Sequence, residues 1–271
     1  MSQAPLVSVL LPTYNSEQTI CRALSSVFAQ TLQPIEVIVV DDGSTDGTLS
    51  LVKSFCSGLK PGFLKLVKLD SNHGPAYARN VGWDMASGEF LAFLDADDSW
   101  HPNKLQITAS FMLANSELSL IGHRCLRLSE NDPLPVLPKQ WDVKTICGWQ
   151  LMMFGRFLLT TSVVMVKREI PYRFDPYKRY GQDRFLWLQI VLNGYKAARL
   201  ELPLAYMYKA PYGEAGQSGN LWGLEKGELD IFSQLRQMGF LNRCQEIALK
   251  GWSFLKYLRR LWICWRRKRV V

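Results

Sequence analysis

Residues 90–94, Phe-Leu-Ala-Phe-Leu, form an unbroken apolar run that closes on three carboxylates within four positions, Asp95, Asp97 and Asp98. A short apolar run bounded by Ser87-Gly88 and by acids is the pattern of a strand buried on both faces, as in parallel sheets covered by helices on each side. In an open α/β sheet the ligand crevice lies outside the carboxyl ends of the strands. Asp95 and Asp97 are two positions apart, so an extended chain points both the same way, toward one ion. Hard oxygen ligands of this kind suit Mg2+ or Mn2+ carrying a substrate's phosphates. Asp98-Ser99 ahead of Pro102 also reads as a helix cap with proline at the first helical position.

The residues before this run alternate strand and helix. Residues 6–11, 35–40 and, more weakly, 63–69 read as strands. Residues 17–29 place Ile20, Leu24, Val27 and Phe28 on one helical face, with Asn15 or Ser16 available as the cap. Thr45 or Asp46 opens a second helix with Leu49, Val52 and Phe55 inward, and Pro75 starts a third, followed by Ala78, Val81 and Met85. This order predicts an α/β fold with a mostly parallel central sheet and helices on both faces. After Leu113 the pattern loosens. Residues 130–140 read as a proline-bearing loop, 160–167 as a strand, 182–192 as a helix ended by Asn193-Gly194, and 197–202 and 204–208 as two short strands. The remainder, past a glycine-rich stretch at 210–219, reads as helical.

The net charge of +8 is local. Residues 248–271 hold eight basic residues and no acid, which leaves 24 basic against 24 acidic residues elsewhere. Wound as a helix, this tail puts Phe254, Leu255, Leu258, Leu261, Trp262 and Trp265 on one face and Lys256, Arg259, Arg260 and Arg267 largely on the other. That pattern suits a helix lying on an anionic membrane surface, where each basic residue contributes about 1 kcal/mol. Two other readings are a terminal helix packed on the body and a nucleic-acid contact; aromatics interleaved with arginines favour the membrane, and no nucleic acid is expected. Six scattered cysteines without a C-x-x-C pair, the absence of a signal-peptide pattern and the lack of a long apolar span predict a cytoplasmic protein, peripheral on the inner face of the cell membrane.

Strand-end motifs recur. Pro12-Thr13-Tyr14-Asn15 follows the first strand and Asp41-Asp42-Gly43-Ser44 the second. A nucleotide base could stack on Tyr14 and an acid could accept the N3–H of a uracil; equally, Asn15 and Asp42-Gly43 are turn formers. In unbroken order, residues 7–15 (VSVLLPTYN), 39–48 (VVDDGSTDGT), 72–82 (NHGPAYARNVG) and 88–105 resemble the successive motifs of the family 2 glycosyltransferases. The resemblance covers about the first 115 residues. It implies a GT-A fold, a nucleoside-diphosphate sugar donor (a UDP-sugar above all), a divalent metal (Mn2+ or Mg2+) held by a D-x-D motif, and inversion at the anomeric carbon. The organisation it implies is a nucleotide-sugar-binding half at 1–115, an acceptor-binding half at 116–220 with the catalytic base and a lid loop, and a basic-aromatic helical extension at 221–271.

Carried onto this chain, the resemblance assigns Pro12, Thr13 and Tyr14 to the base pocket, Asp42 to the uracil and ribose, and Arg79 to the nucleotide's surroundings, with Asn80 shaping the same turn. Asp97 is the expected direct metal ligand, and Asp95 lies nearer the ribose or shares the metal. His101 fits the start of the helix that follows better than a metal ligand. Gly181-Gln182-Asp183-Arg184 matches the family's acidic helix start, with Gln182 in place of the usual Glu. Asp183 is the expected general base toward the acceptor hydroxyl. Lys209 and Arg79 are the cations expected near the leaving phosphate, and residues 210–219 have the composition of a lid. The expected acceptor is a hydroxyl of a lipid-linked, lipopolysaccharide or polysaccharide glycan. Two rival readings are an inactive nucleotide-sugar-binding protein and a nucleotidyltransferase. Intact Asp95, Asp97 and Asp183 oppose the first, and the second would want a glycine-rich phosphate loop after the first strand.

Overall fold

The computed structural model describes residues 6–56, 59–209 and 219–269, with only the backbone for 155–157 and 267–269. Most of the stretch expected to act as a lid, 210–218, therefore lies outside the described residues. The first half is built as β1 (Val7–Thr13), α1 (Ile20–Phe28), β2 (Glu36–Asp41), α2 (Thr48–Cys56), β3 (Leu64–Lys68), α3 (Pro75–Met85) and β4 (Phe90–Phe93). These four strands pair in parallel in the order β3-β2-β1-β4. β1, β2 and β4 are buried along their whole length, which is why they read as continuous apolar runs. The register sets Thr13 opposite Asp41 and Asp41 opposite Lys68, so the carboxyl ends of the strands share one edge.

The second half continues the same sheet. β5 (Asp98–Trp100), α4 (Lys104–Ala114), β6 (Leu118–Arg127), β7 (Val143–Ile146), α5 (Gly148–Leu158), β8 (Met165–Lys167), α6 (Gln182–Leu192) and β9 (Lys196–Met207) follow. β8 pairs antiparallel with β4 and with β6, β6 runs parallel to β9, and β5 and β7 each pair antiparallel with β9. The sheet is thus parallel on the first side and mixed on the second. Trp83, Phe93, Phe174 and Trp187 pack ring against ring at centroid distances of 5.5 to 6.3 Å, joining α3, β4 and α6 in one core.

Several local expectations change. Neither Asn15 nor Ser16 caps α1 with its side chain: Thr19 holds the cap position, the Ser16 carbonyl accepts from Thr19 and Ile20, and the Asn15 side chain serves the neighbouring turn. Asp98 and Ser99 cap nothing, because they lie in β5, and Asn103 precedes α4. Met85 is exposed and Trp83 takes the inward place on α3. Residues 160–167 split into a 3-10 turn (Thr161–Val163) and β8, whereas 197–208 merge into β9, whose pairing with β6 shifts register at His123/Arg124 and Arg124/Cys125. The six cysteines are free.

α7 (Leu221–Gln237) and α8 (Arg243–Arg269) close the chain as a packed pair. α8 lies against the body on its polar side. Lys256 and Arg260, read as part of the face opposite the aromatics, point inward: Lys256 Nζ lies 2.5 Å from Glu228 Oε1, and Arg260 pairs with the fully buried Glu225. No helix among the described residues is long and apolar enough to cross a membrane.

Candidate active site

The β1–α1 and β2–α2 turns are stitched together. Asn15 takes φ +47°, a left-handed conformation that asparagine tolerates, and its Oδ1 accepts from Thr45 N–H at 2.9 Å while its own N–H donates to Ser44 Oγ at 2.9 Å. Pro12 and Thr13 are buried at the end of β1, and Tyr14 stands exposed beside them. Asp42 is buried and accepts the His73 and Gly74 N–H groups at 2.9 and 2.7 Å, so it braces the turn before α3. Burial lifts its pKa against the pull of those two donors. Asp41 is fully buried, with Ser44 N–H on one oxygen.

Arg79 connects the two halves. Buried on α3, it donates from Nη2 to Asp95 Oδ1 at 2.6 Å. With the Gln182 amide oriented so that its nitrogen donates to the Lys178 carbonyl at 2.8 Å, the Gln182 oxygen accepts from Arg79 Nη1 at 3.0 Å. Asn80 leaves the turn to which it was assigned and exchanges two bonds with the Phe174 backbone, at 2.7 and 3.1 Å.

The carboxylates after β4 separate by partner. Asp95 N–H donates to Ser162 Oγ at 3.1 Å, and the same hydroxyl donates to Asp98 Oδ2 at 2.6 Å. Asp97 is half-exposed; its carboxylate meets Lys209 Nζ at 3.1 Å, and its carbonyl accepts from Arg22 at 3.0 Å. Burial raises the Asp95 pKa; Arg79 opposes this, while the charges of Asp97 and Asp183 push it further up. Asp98 is pushed well above the usual carboxylate range by burial and then by Asp97 and Asp95. It acts as a buried strut.

Asp183 sits in the first turn of α6, behind Gly181 at φ +69°, a left-handed position that glycine occupies without strain. Its neighbour Gln182 meets Arg79 at 3.0 Å, so the start of α6 lies beside the Arg79–Asp95 pair. His101 Nδ1 accepts from Asn103 N–H at 3.1 Å and fastens the chain entering α4. The structure therefore gathers Arg79, Asp95, Asp97, Asp183 and Lys209, with Asp42 and Tyr14 on the neighbouring strand ends. Sequence reasoning missed Ser162, which links Asp95 to Asp98, and Arg22, whose guanidinium lies 3.7 Å from the Tyr208 ring centroid. Neither stands in a recognisable motif.

Residues 8–173 match the family described as glycosyl transferase family 2. The chain belongs to that family. It is a glycosyltransferase, and its architecture is the GT-A fold. The family 2 relatives include the putative teichuronic acid biosynthesis glycosyltransferase TuaG of Bacillus subtilis, 29% identical over 94% of this chain and 95% of its own. Another is the UDP-Glc:alpha-D-GlcNAc-diphosphoundecaprenol beta-1,3-glucosyltransferase WfgD of Escherichia coli, 42% identical over 69% of this chain and 70% of its own. Among solved structures, S. aureus TarS in complex with UDP-GlcNAc superposes with a TM-score of 0.68 at 23% identity, over 94% of this chain and 72% of that one. The mannosyltransferase PcManGT of Pyrobaculum calidifontis, solved with GDP-Man and Mn2+, gives 0.59 at 18% identity, over 96% of this chain and 88% of that one.

Proposed function

We propose that this glycosyltransferase moves a hexosyl group, with inversion, from a nucleoside-diphosphate sugar to a hydroxyl of a lipid-linked, lipopolysaccharide or polysaccharide glycan. The observation that carries the reading is the contact of Gln182, next to Asp183 at the start of α6, with Arg79, which holds Asp95 beside the Asp97–Lys209 pair. A UDP-sugar is the favoured donor: TarS is solved with UDP-GlcNAc, and WfgD is named for a UDP-Glc donor and a diphosphoundecaprenol-linked acceptor. Pro12, Thr13, Tyr14 and Asp42 form the nucleotide's side of the crevice.

The residues present fit a divalent cation, Mn2+ or Mg2+. Asp97 offers a half-exposed carboxylate, and Asp95 is raised in part by the charge of Asp97, so an added cation relieves a repulsion already there. Among the described residues no three His, Cys, Asp or Glu side chains gather as a complete cage. That suits a cation that completes its shell from substrate phosphates. Bound at Asp97 and Asp95, it would neutralise charge growing on the leaving diphosphate. Arg79 holds Asp95 in place, and Lys209 brings a positive charge to the same edge. Asp183 takes the proton of the acceptor hydroxyl as its oxygen attacks the anomeric carbon from the face opposite the leaving group. The basic-aromatic tail brings the enzyme to the inner face of the membrane, where a lipid-linked acceptor resides.

The test is a panel of nucleotide sugars screened for Mn2+-dependent thermal stabilisation and hydrolysis, with the product anomer read by NMR. Asp183→Asn should leave donor affinity within about twofold by calorimetry while lowering transfer by a factor on the order of 10² to 10⁴. A loss of donor affinity in its place removes the base role. A retained anomeric configuration removes the inverting mechanism.

A further inference from the structure

α8 is mounted inside out. A helix on a globular body normally turns its apolar stripe inward and its charges to water. Here Ser253, Lys256 and Arg260 face the body, while Phe254, Leu255, Leu258, Leu261, Trp262 and Trp265 are exposed, Leu255 by 60% and Trp262 by 52%. The inward charges are clasped. Glu228 on α7 meets Lys256 and Arg260 of α8 on one side and Arg184 of α6, at 2.9 Å, on the other; Arg260 also pairs with Glu225. Burying charge is unfavourable even when paired, and exposing large apolar side chains to water is unfavourable as well. The arrangement becomes favourable when the outward face meets an apolar phase.

We propose that the outward face of α8, with the exposed aromatics of α5 and α7, is a rigid docking surface for an anionic lipid bilayer, lying flat at the headgroup level. The proposal rests on the membrane contact read from the tail above and specifies how it is built: a face fixed to the catalytic body, in place of a loose basic tether. Charge complementarity selects the bilayer as occupant. From Arg243 to Arg269 there are nine basic residues and one acid, and that acid, Glu246, is engaged by Lys250 and Arg236 on the body side. Arg259 and Arg266 are exposed along the edge of the apolar face, and Arg266 stacks 4.4 Å from the Trp262 ring centroid. Aromatic rings with arginines beside them are the composition of a helix seated at a membrane interface.

The surface extends beyond α8. Trp252 Nε1 donates to the Met153 carbonyl at 3.2 Å, bringing α5 with its exposed Trp149 and Phe154 alongside. The Trp222 ring lies 5.6 Å from Tyr257, which lies 5.9 Å from Phe254, so the aromatic row continues onto the first turn of α7. Asn220, the cap of α7, donates to the Tyr180 hydroxyl at 3.1 Å, and Tyr180 stands three residues before Asp183. The row thus leads from the tail toward the base, the side from which a lipid-linked acceptor would arrive.

Truncating α8 would strand Glu225 and Glu228, so the test uses outward substitutions in the full chain. Wild type, Trp262→Ser/Trp265→Ser and a variant lacking residues 266–271 are compared for flotation with phosphatidylglycerol/phosphatidylcholine vesicles and with phosphatidylcholine alone. Quenching of tryptophan by brominated acyl chains is read in parallel, with donor hydrolysis and circular dichroism in solution as controls. The expected result is that wild type floats with anionic vesicles and is quenched, and that the double substitution lowers partition about tenfold or more with fold and donor hydrolysis unchanged. Release by the truncation alone, with the double variant still bound, overturns the rigid face and leaves the membrane reading standing. No binding by wild type removes both, while donor hydrolysis separately reports the enzyme. A wild-type dimer that the double substitution makes monomeric, without vesicle binding, assigns the face to a second copy and overturns the proposal.

Discussion

Arg79 satisfies two partners on different elements, the Asp95 carboxylate and the Gln182 amide oxygen. The planar fork directs separate nitrogens at the two partners, a fixed geometry that a lysine ammonium does not reproduce. Arg79→Lys should therefore lower kcat/KM for transfer by about 10 to 100-fold, matching the loss of one or two charge-assisted bonds, and steady-state kinetics with the donor varied will check it. The presence of Gln at 182 makes chemical sense here: its amide oxygen accepts from Arg79 while its nitrogen donates a hydrogen bond to the Lys178 carbonyl, which a carboxylate cannot do. At this scale the sequence told unevenly. Asp95 and Asp97 stand out by spacing at a strand end, and Asp183 only through the resemblance to the family's acidic helix start. Ser162 and Arg22 do not, because their partners Asp98 and Asp97 lie 64 and 75 residues away and no local pattern encodes such a reach.

The element that carries Asp183, the proposed base, is α6, and Tyr180, just before α6, packs on α7. Gly223 and Gly227 lie one turn apart on α7 and admit Tyr180 against the helix backbone; a Cβ on Gly227 would stand 2.7 Å from Tyr180 Cβ and 2.8 Å from its carbonyl oxygen. Backbone contact of this kind cannot yield by a rotamer change. Gly227→Ala is expected to destabilise by about 1 to 3 kcal/mol, as overpacking does, and to lower kcat more than it raises the donor KM, since Tyr180 precedes the proposed base Asp183. Urea titration and kinetics measure the two effects. Elements of the first half were readable since strands buried on both faces read as unbroken apolar runs and amphipathic helices carry a helical period. β6 was not: its first six positions are buried and its last four are not, so His123, Arg124 and Cys125 interrupt any pattern. α8 was read with the right two faces, but which of them meets the body was not legible, because the acids that hold Lys256 and Arg260 lie on α7.

For the whole molecule, acid should be the sensitive direction. Burial pushes Glu36 up, but Lys65, Ser8 and Ser87 outweigh it and hold its pKa at about 2. Glu228 is likewise driven up by burial and brought to about 2 by Arg184 and Lys256. A carboxylate whose folded pKa lies below its unfolded value stabilises above the unfolded value and loses that contribution as the pH falls through the folded one. Stability should therefore decline between pH 4.5 and 2, with Glu228 alone contributing on the order of 3 kcal/mol. Tm measured across that window will show it, and Glu36→Gln should make the decline shallower.

One sheet runs through both halves of the enzyme. β4, which leads into the carboxylates, is hydrogen-bonded to β8, and β5 to β9, so the two halves share backbone ladders and the Arg79–Gln182 contact. Cassette exchange is consequently a poor route to new specificity. A chimera joined near residue 115 must re-form foreign strand pairs before it can present either site. Diversification of donor and acceptor choice, in evolution or in the laboratory, is steered to the loops above the strand ends, where side chains can change without breaking a ladder.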